Sequence, residues 1–233
     1  MSLNSSSDAN VARDAFQRIN TYVKPNDLSE TDKFYTSWVE TYDADYSMVD
    51  YKPHARMAST LTASVNDEDK RNEKFCVLDI ASGTGNCAQT LRNNGFKWTI
   101  DGIEGNAAMN EKAKAKNLYR NLKVEYVTPN ERMTYDDDSY DVIVSIGGFS
   151  RTHIQPECIK EVLRILKPGG LFWFSVRKSD AAESYNVTVD AILTDLVHKN
   201  LVKILAREEM DYYGCKFDKT IQKQGYERCV RKI

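Results

Sequence analysis

From residue 75 onward, apolar residues fall into short continuous runs that alternate with amphipathic segments. Such runs, bounded by turn residues, are typical of parallel strands in a sheet that helices cover on both faces. Alternating strands and helices with right-handed crossovers predict a doubly wound α/β sheet. The predicted strands are residues 75–80, 99–103, 124–127, 141–146 and 171–176, and the predicted helices between them are residues 86–94, 106–117 and 156–166.

The two ends of the chain differ from this alternating region. Residues 185–200 have the apolar spacing of one amphipathic helix. Residues 201–213 and 220–233 resemble two strands, which lie too close together for a crossover helix and should therefore be antiparallel. Residues 1–70 are polar and helical in pattern, which predicts a helical cap or lid whose first residues are disordered. Residues 71–233 would then form the sheet domain.

The 233 residues are enough for one hydrophobic core, and their formal net charge is −2. A net charge so close to zero gives no electrostatic reason to expect binding to nucleic acid or to an anionic membrane, and neither partner is expected. The five cysteines lack metal-ligand or disulfide spacing, so no metal site is predicted. With no secretory signal and no membrane-spanning run in the sequence, we expect a cytoplasmic or nuclear location. The pattern does not indicate an oligomeric state.

Residues 77–88, which read VLDIASGTGNCA, hold the most informative candidate chemistry. Gly83 and Gly85 allow a sharp turn from strand to helix and let a ligand approach the backbone. The loop should lie at the carboxyl edge of the first strand, where open α/β sheets bind cofactors. The same glycine spacing fits the dinucleotide fingerprint, so the glycines alone do not distinguish NAD from S-adenosylmethionine.

Asp79, four residues before the first glycine, separates these two cofactors. A carboxylate there would repel the pyrophosphate of NAD, whereas S-adenosylmethionine has no phosphate and carries cationic ammonium and sulfonium groups. The alternative role of Asp79 is to brace the loop. We expect S-adenosylmethionine as the cofactor and methyl transfer as the reaction, with an NAD(P)-dependent oxidoreductase as the alternative.

Glu104 follows the second predicted strand at the distance expected of a ribose-binding acid. Its carboxylate could accept hydrogen bonds from both ribose hydroxyls, as every nucleoside cofactor requires. Asn106, in the same turn, could also cap the next helix. The predicted cofactor-binding residues of the two turns are Asp79, Ala81, Ser82, Gly83, Gly85, Glu104, Gly105 and Asn106.

A series of four motifs resembles that of class I S-adenosylmethionine-dependent methyltransferases. The motifs are DIASGTG at residues 79–85, GIEG at residues 102–105, YDVIV at residues 140–144 and LKPGG at residues 166–170. Their order and spacing are similar to the type 11 methyltransferase domain, over roughly residues 74–178. The resemblance implies a Rossmann-like, seven-stranded sheet that is mostly parallel with an antiparallel C-terminal strand pair, and S-adenosyl-L-methionine as the cofactor.

Further segments resemble the methyltransferase-like family first named for the Williams–Beuren syndrome chromosomal region, over about residues 30–217. They are FYTSWVETYDAD at residues 34–45, DYKP at residues 50–53, KAKNLY at residues 114–119 and IGGFS at residues 146–150. Ile146 and Gly147 of the last segment are predicted to contact the cofactor. This resemblance does not supply a methyl acceptor.

The sequence departs from the usual motifs at two positions. Ala81 stands where the first glycine of the loop is usual, and this small residue should be tolerated if its φ is negative. The acidic residue that commonly binds the adenine amino group is missing, because Pro129 occupies its position between Thr128 and Asn130. Asn130 or a backbone group could bind adenine instead.

Aromatic residues crowd the segment before the first strand, and two of them could form a lid. Tyr42 and Tyr51 could close over the sulfonium or carboxylate of the cofactor, or could pack in the core against the sheet edge. Arg56 could pair with the methionine carboxylate or face solvent.

Residues after the fourth and fifth strands are the candidates for contact with the methyl acceptor. His153 could act as a general base if the acceptor arrives protonated, or could be a loop histidine without a catalytic role. Phe149 and Arg177 are predicted to line the acceptor pocket. We therefore predict methyl transfer to an oxygen, nitrogen or sulfur acceptor of a small molecule or protein. A catalytically idle cofactor-binding protein is a further alternative.

Overall fold

The computed structural model describes residues 5–21, 27–129, 131–215, 217–218, 220 and 222–233. Within them, seven strands form one sheet in the order β3-β2-β1-β4-β5-β7-β6. The strands are β1 (Cys76–Ile80), β2 (Thr99–Glu104), β3 (Asn121–Val124), β4 (Tyr140–Ser145), β5 (Leu166–Arg177), β6 (Val202–Gly214) and β7 (Gln222–Lys232). The first five strands are parallel, while β7 is antiparallel to both β5 and β6. This architecture confirms the predicted fold class.

Helices precede the sheet and connect its strands. The helices before β1 are α1 (Ser5–Ile19), α2 (Leu28–Trp38), α3 (Tyr42–Met48), α4 (Pro53–Ser64) and α5 (Asp67–Lys70). The later helices are α6 (Asn86–Asn93), α7 (Ala107–Ala115), α8 (Ile159–Ile165) and α9 (Glu183–His198), with short 3₁₀ turns at Pro156–Cys158 and Asp180–Ala182. The disorder expected of the first residues concerns positions 1–4, which lie outside the described residues. A separate cap ending at residue 70 stays a prediction.

The third strand lies three residues earlier than expected, at Asn121–Val124 instead of residues 124–127. As an edge strand, it is defined by its pairing with β2 rather than by an apolar run. The buried carboxylate of Asp101 accepts hydrogen bonds from both the backbone and the side-chain nitrogen of Asn121, and this fixes the start of β3. A search for apolar runs could not detect that contact.

Both faces of the sheet are buried, and this explains the continuous apolar strands. Along β5, Phe172 and Phe174 pack on the face covered by α8 and α9, while Leu171 and Trp173 pack on the face covered by the N-terminal helices. Successive side chains of a strand point to opposite faces, so a doubly covered strand must be apolar at every position. None of the described helices is long and apolar enough to cross a membrane.

A buried carboxylate joins the first three helices. Asp45 of α3 accepts hydrogen bonds from Trp38 Nε1 at 2.6 Å and from Arg18 Nε and Nη2 at 2.7 and 2.6 Å. Burial tends to raise the pKa of Asp45, but these donors hold it below its usual value. The charge-assisted bonds fix α1, α2 and α3 relative to one another, and with them the aromatic side chains above the sheet.

Candidate active site

A cavity of about 390 Å³ opens at the carboxyl edge of the parallel strands. Its floor consists of the turns after β1, β2, β4 and β5, and side chains of α2 and α3 also line it. Strand order reverses between β1 and β4, and open α/β sheets bind ligands in the crevice at such a point. The volume is in the range of small-molecule sites.

The glycine loop after β1 turns through left-handed backbone conformations. Ala81, Gly83 and Gly85 have φ values of +57°, +55° and +86°. The condition of a negative φ at Ala81 is therefore not met, and the loop holds this residue in a left-handed conformation. Gly85 does not line the cavity, and a Cβ there would lie 3.1 Å from the ring of Tyr119. The loop thus requires a glycine at residue 85 for both its φ and its packing.

Asp79 lines the cavity at the end of β1 and is only 1% exposed. Its Oδ2 accepts a hydrogen bond from the Tyr119 hydroxyl at 2.7 Å. Burial raises the pKa of Asp79 to about 7, although the bond from Tyr119 opposes this shift. A cationic ligand group beside Asp79 would stabilise its charged form.

Glu104 lies at the end of β2, where its two oxygens bond to two turns. Its Oε2 accepts the Gly83 N–H at 2.8 Å, and its Oε1 accepts the Asn106 N–H at 2.8 Å. Burial raises the pKa of Glu104 despite these bonds. Each carboxylate oxygen has a second lone pair and can still accept a bond from a ligand hydroxyl.

Asn106 and Ser82 both line the cavity, but only the side chain of Asn106 is hydrogen-bonded within the described residues. Asn106 caps α7, because its Oδ1 accepts the Met109 N–H at 2.9 Å. Its Nδ2 donates to Asp32 and Thr36 of α2. The Oγ of Ser82 is buried and has no hydrogen-bond partner within the described residues, so it is available to a ligand.

Aromatic rings form a continuous series over the cavity. Ring centroids are 4.7 Å apart for Trp38 and Tyr42, for Tyr42 and Tyr46, and for Tyr46 and Tyr51. Tyr51 continues the series to Tyr212 of β6, with a centroid distance of 5.3 Å. Tyr42 and Tyr51 therefore both line the cavity and pack against neighbouring aromatic rings. Their action as a mobile lid stays a prediction.

His153 forms the centre of a small hydrogen-bonded group at the cavity wall. Its Nε2 lies 2.9 Å from the Tyr35 hydroxyl, and its Nδ1 lies 2.7 Å from Ser150 Oγ and 2.8 Å from Thr152 Oγ1. Burial, together with the charge of Arg177, lowers the pKa of His153 to about 4. The imidazole is therefore neutral near pH 7, where it can accept a proton or a hydrogen bond.

The structure brings most of the predicted site residues to this one cavity. Those that line it are Asp79, Ala81, Ser82, Gly83, Glu104, Gly105, Asn106, Ile146, Gly147, Phe149, His153, Arg177, Tyr42 and Tyr51. Asn130 lies outside the described residues. Within the described part of the chain, no cluster of three histidine, cysteine or acidic residues could hold a metal ion.

Three predicted contact residues do not line the cavity: Gly85, described above, Arg56 and Thr128. Arg56, on α4, forms ion pairs with Glu227 of β7 and Glu208 of β6, and it does not line the cavity. Helix α4 packs against β6 and β7, which are distant in sequence, so the local sequence cannot reveal these ion pairs. Thr128 donates to Glu131 at 3.1 Å and also does not line the cavity.

Other cavity residues were not predicted. Tyr35, Tyr126, Tyr212 and Arg151 all line the cavity. Tyr35 and Trp38 are three residues apart on α2, and Tyr42 begins α3 with its ring beside that of Trp38. The spacing of these aromatic residues is a signal that could have identified Tyr35. Tyr212 lies on β6, which is distant in sequence from every cofactor motif, and no local pattern marks it.

Comparisons with known proteins agree with this geometry. Residues 77–170 match the family described as a methyltransferase domain. Human Methyltransferase-like protein 27 is 28% identical over 170 residues, covering 73% of this chain and 67% of that protein. A ubiquinone/menaquinone biosynthesis C-methyltransferase of Rickettsia felis is 33% identical over 117 residues. This second match covers 47% of this chain and 46% of that protein, so it spans about half the length of the bacterial relative.

Solved structures give the same fold. The methyltransferase in a complex with the Haloferax volcanii Trm112 methyltransferase activator has a TM-score of 0.58 and 16% identity, covering 84% of this chain and 96% of that chain. The family match and the similarity to Methyltransferase-like protein 27 support a class I S-adenosylmethionine-dependent methyltransferase, and the solved structure shows the same fold. Among its relatives it is similar to Methyltransferase-like protein 27 well beyond the matched domain. S-adenosyl-L-methionine is therefore its cofactor, and the NAD(P)-dependent oxidoreductase alternative is set aside.

Proposed function

We propose that this methyltransferase modifies an oxygen, nitrogen or sulfur atom of a small molecule bound beside the cofactor. The observation that carries the proposal is that Asp79, Glu104 and the hydrogen-bonded pair of Tyr35 and His153 line one cavity. Rings of α2 and α3 cover that cavity, and such enclosure favours a small acceptor over a side chain of a folded protein.

The residues after β1 and β2 fit the chemistry of the cofactor. Asp79 would hold the cationic amino-acid end, Glu104 would accept the ribose hydroxyls, and the unpartnered Ser82 Oγ would supply a further contact. When bound, S-adenosylmethionine supplies a methyl group on a sulfonium sulfur, which keeps the electron pair of the broken C–S bond. Holding the acceptor atom in line with that methyl group is the main requirement on the protein.

Tyr35 and His153 would handle a proton that leaves the acceptor. In the tautomer with its proton on Nδ1, His153 accepts a hydrogen bond from the Tyr35 hydroxyl at Nε2 and donates from Nδ1 to Ser150 and Thr152, which orient the ring. As the acceptor atom bonds to the methyl carbon, its proton would pass to the Tyr35 oxygen while the phenol proton moves to Nε2. His153 would end as an imidazolium and later lose that proton to solvent.

Calorimetric titration and labelled-methyl transfer test this proposal. We expect binding of S-adenosylmethionine and of its demethylated product, and none of NADH. Transfer from methyl-labelled cofactor into an extract of the source cells should label the small-molecule fraction. Label confined to protein would overturn the small-molecule acceptor, and cofactor binding without any transfer would indicate an idle binding protein.

A further inference from the structure

The charged side chains that line the cavity are separated by sign. The acids come from α2, β1, β2 and the segment after β3, whereas the arginines follow β4 and end β5. The acids are Asp32, Asp79, Glu104 and Glu125, and the arginines are Arg151 and Arg177. The cavity therefore has a negative side at β1–β3 and a positive side at β4–β5.

Arg177 lines the cavity but has no carboxylate partner of its own within the described part of the chain. Four other arginines form ion pairs: Arg18 with Asp45, Arg120 with Asp101, Arg164 with Glu161 and Arg228 with Asp190. Arg92 and Arg231 donate to backbone carbonyls as Arg177 does, but they do not line the cavity. Among the described residues, no carboxylate forms an ion pair with Arg177. Its Nη2 donates to the Ile19 carbonyl at 3.4 Å, and its guanidinium lies 5.5 Å from the ring centroid of Tyr213.

The surroundings of Arg177 favour an anionic ligand group. Burial lowers the pKa of Arg177, but its interactions with Tyr46, Tyr213, Tyr212 and Tyr51 raise it above its usual value. A desolvated guanidinium without a counter-ion is costly. Its planar donors match a carboxylate or phosphate, so a ligand anion would supply the missing partner.

The position of Arg177 in the sheet argues against the carboxylate of the cofactor as this anion. Asp79 pairs with Val144, and Val144 pairs with Trp173, so Arg177 lies four residues further along β5 and two strands across. Its backbone is thus ~10 Å across and ~13 Å beyond that of Asp79. The ammonium and carboxylate of the cofactor share one carbon atom. Bridging that separation with one amino-acid group would require the Asp79 and Arg177 side chains to extend fully toward each other, so two separate ligand groups fit the two positions better.

We infer that the methyl acceptor carries a carboxylate or phosphate, that Arg177 binds this anionic group, and that methylation occurs on another atom of the acceptor. This inference rests on the proposed function, and it narrows the acceptor to small anions. The methionine carboxylate of the cofactor is the other source of the same chemistry, and the tests below separate the two.

The charge of the labelled product tests the inference first. After transfer from methyl-labelled cofactor into the small-molecule fraction of a source-cell extract, the labelled product should be retained on an anion-exchange column at pH 7 or, if it also carries an amine, should flow through as a zwitterion. A labelled product in either fraction that has no carboxylate or phosphate by mass spectrometry, or one that releases methanol in alkali as a carboxyl methyl ester does, would overturn it. Absence of any labelled product would count against the proposed function itself.

The Arg177→Gln variant tests the residue, with Lys178→Gln as a control of equal charge change on the next residue. We expect Arg177→Gln to raise the KM for the acceptor identified from the labelled product at least tenfold. The Kd of the variant for S-adenosylmethionine should change less than twofold. Lys178, which pairs with the exposed Glu209, should be replaceable without either effect.

Decarboxylated S-adenosylmethionine identifies the source of the anion. If Arg177 held the cofactor carboxylate, the wild-type protein would bind this analogue more weakly than S-adenosylmethionine, and Arg177→Gln would remove that difference. Such a result, or an unchanged acceptor KM in the variant, would contradict the assignment to the acceptor. Circular dichroism and the unchanged cofactor Kd would show that the variant is folded.

Discussion

The two ends of the cavity are built in different ways. The proposed cofactor end, formed by the turns after β1 and β2, depends on backbone conformation and on acids within one 28-residue stretch from Asp79 to Asn106. The proposed acceptor end, formed by Tyr35, His153 and Arg177, joins side chains from α2, the turn after β4 and the end of β5. A local motif can therefore specify the cofactor, whereas the acceptor depends on distant segments meeting in the fold. The two ends should respond differently to substitution.

The largest effect is expected at the acceptor end, from His153→Gln. Loss of a proton acceptor typically lowers the rate by about 10²-fold or more, so kcat with the identified acceptor should fall by roughly that factor. The Kd for S-adenosylmethionine should stay unchanged, because His153 is bonded to Tyr35, Ser150 and Thr152 and not to the cofactor turns. The exposed His198→Gln serves as the control. An unchanged kcat would leave His153 as a loop residue that only orders Tyr35.

The next effect is expected at the cofactor end, from Glu104→Ala. Losing two charge-assisted bonds to the ribose should weaken cofactor binding by ~2–3 kcal/mol, about 30- to 150-fold in Kd. Glu104→Gln should fall between the two, because one amide oxygen can still accept the Gly83 N–H or a hydroxyl. Calorimetry with S-adenosylmethionine provides the measurement. Equal affinity of wild type and Glu104→Ala would show that the ribose is bound elsewhere.

A smaller effect is the pH dependence of cofactor binding through Asp79. Burial raises the pKa of Asp79 to about 7, and a cationic ligand would lower it. Below about pH 7, binding must then release a proton, so affinity should fall by up to about tenfold for each pH unit. Above pH 7 this dependence should disappear.

Asp79→Asn should remove that pH dependence, whereas Asp101→Asn should retain it. Asp101 is also buried and lies on the neighbouring strand, but it pairs with Arg120 and does not line the cavity. The Kd for S-adenosylmethionine is measured for wild type and both variants at several pH values. Titration of the cofactor itself affects all three proteins equally, so it does not contribute to the differences between them. If the cofactor affinities of wild type and Asp79→Asn change with pH in the same way, the cationic group of the cofactor does not lie at Asp79.

The same contrast explains how far the sequence could predict this protein. The doubly covered strands are continuous apolar runs, so most strands were located to within a residue or two. The start of β5 was missed by five residues, because the strand begins with residues that are not an apolar run. The edge strand β3 was displaced because pairing with Asp101 defines it. At the site, Asp79 and Glu104 follow from local spacing. Tyr212 and the ion pairs of Arg56 depend on β6 and β7, whose neighbours only the complete fold reveals.

The smallest expected effect concerns the strained backbone of the cofactor end. Ala81 has a φ of +57°, a left-handed conformation that costs a residue with a Cβ roughly 1–2 kcal/mol. Ala81→Gly removes that cost but adds the greater unfolded-state entropy of glycine, about 0.5–1 kcal/mol. The net result should be a gain of ~0.5–1 kcal/mol in the free energy of unfolding, measured by urea denaturation with tryptophan fluorescence.

Ala108→Gly provides the matched control, because Ala108 lies in α7 and is not among the residues with positive φ. In a helix the same substitution should destabilise the protein by about 1 kcal/mol, so the two variants should shift stability in opposite directions. Destabilisation by both would mean that the methyl group of Ala81 contributes more by packing near Gly148 than its backbone conformation costs. In that case alanine would stabilise the loop through the contacts of its methyl group, despite the strain of its backbone conformation. The cofactor end would then depend on contact with the turn after β4, and so on the same element that carries His153.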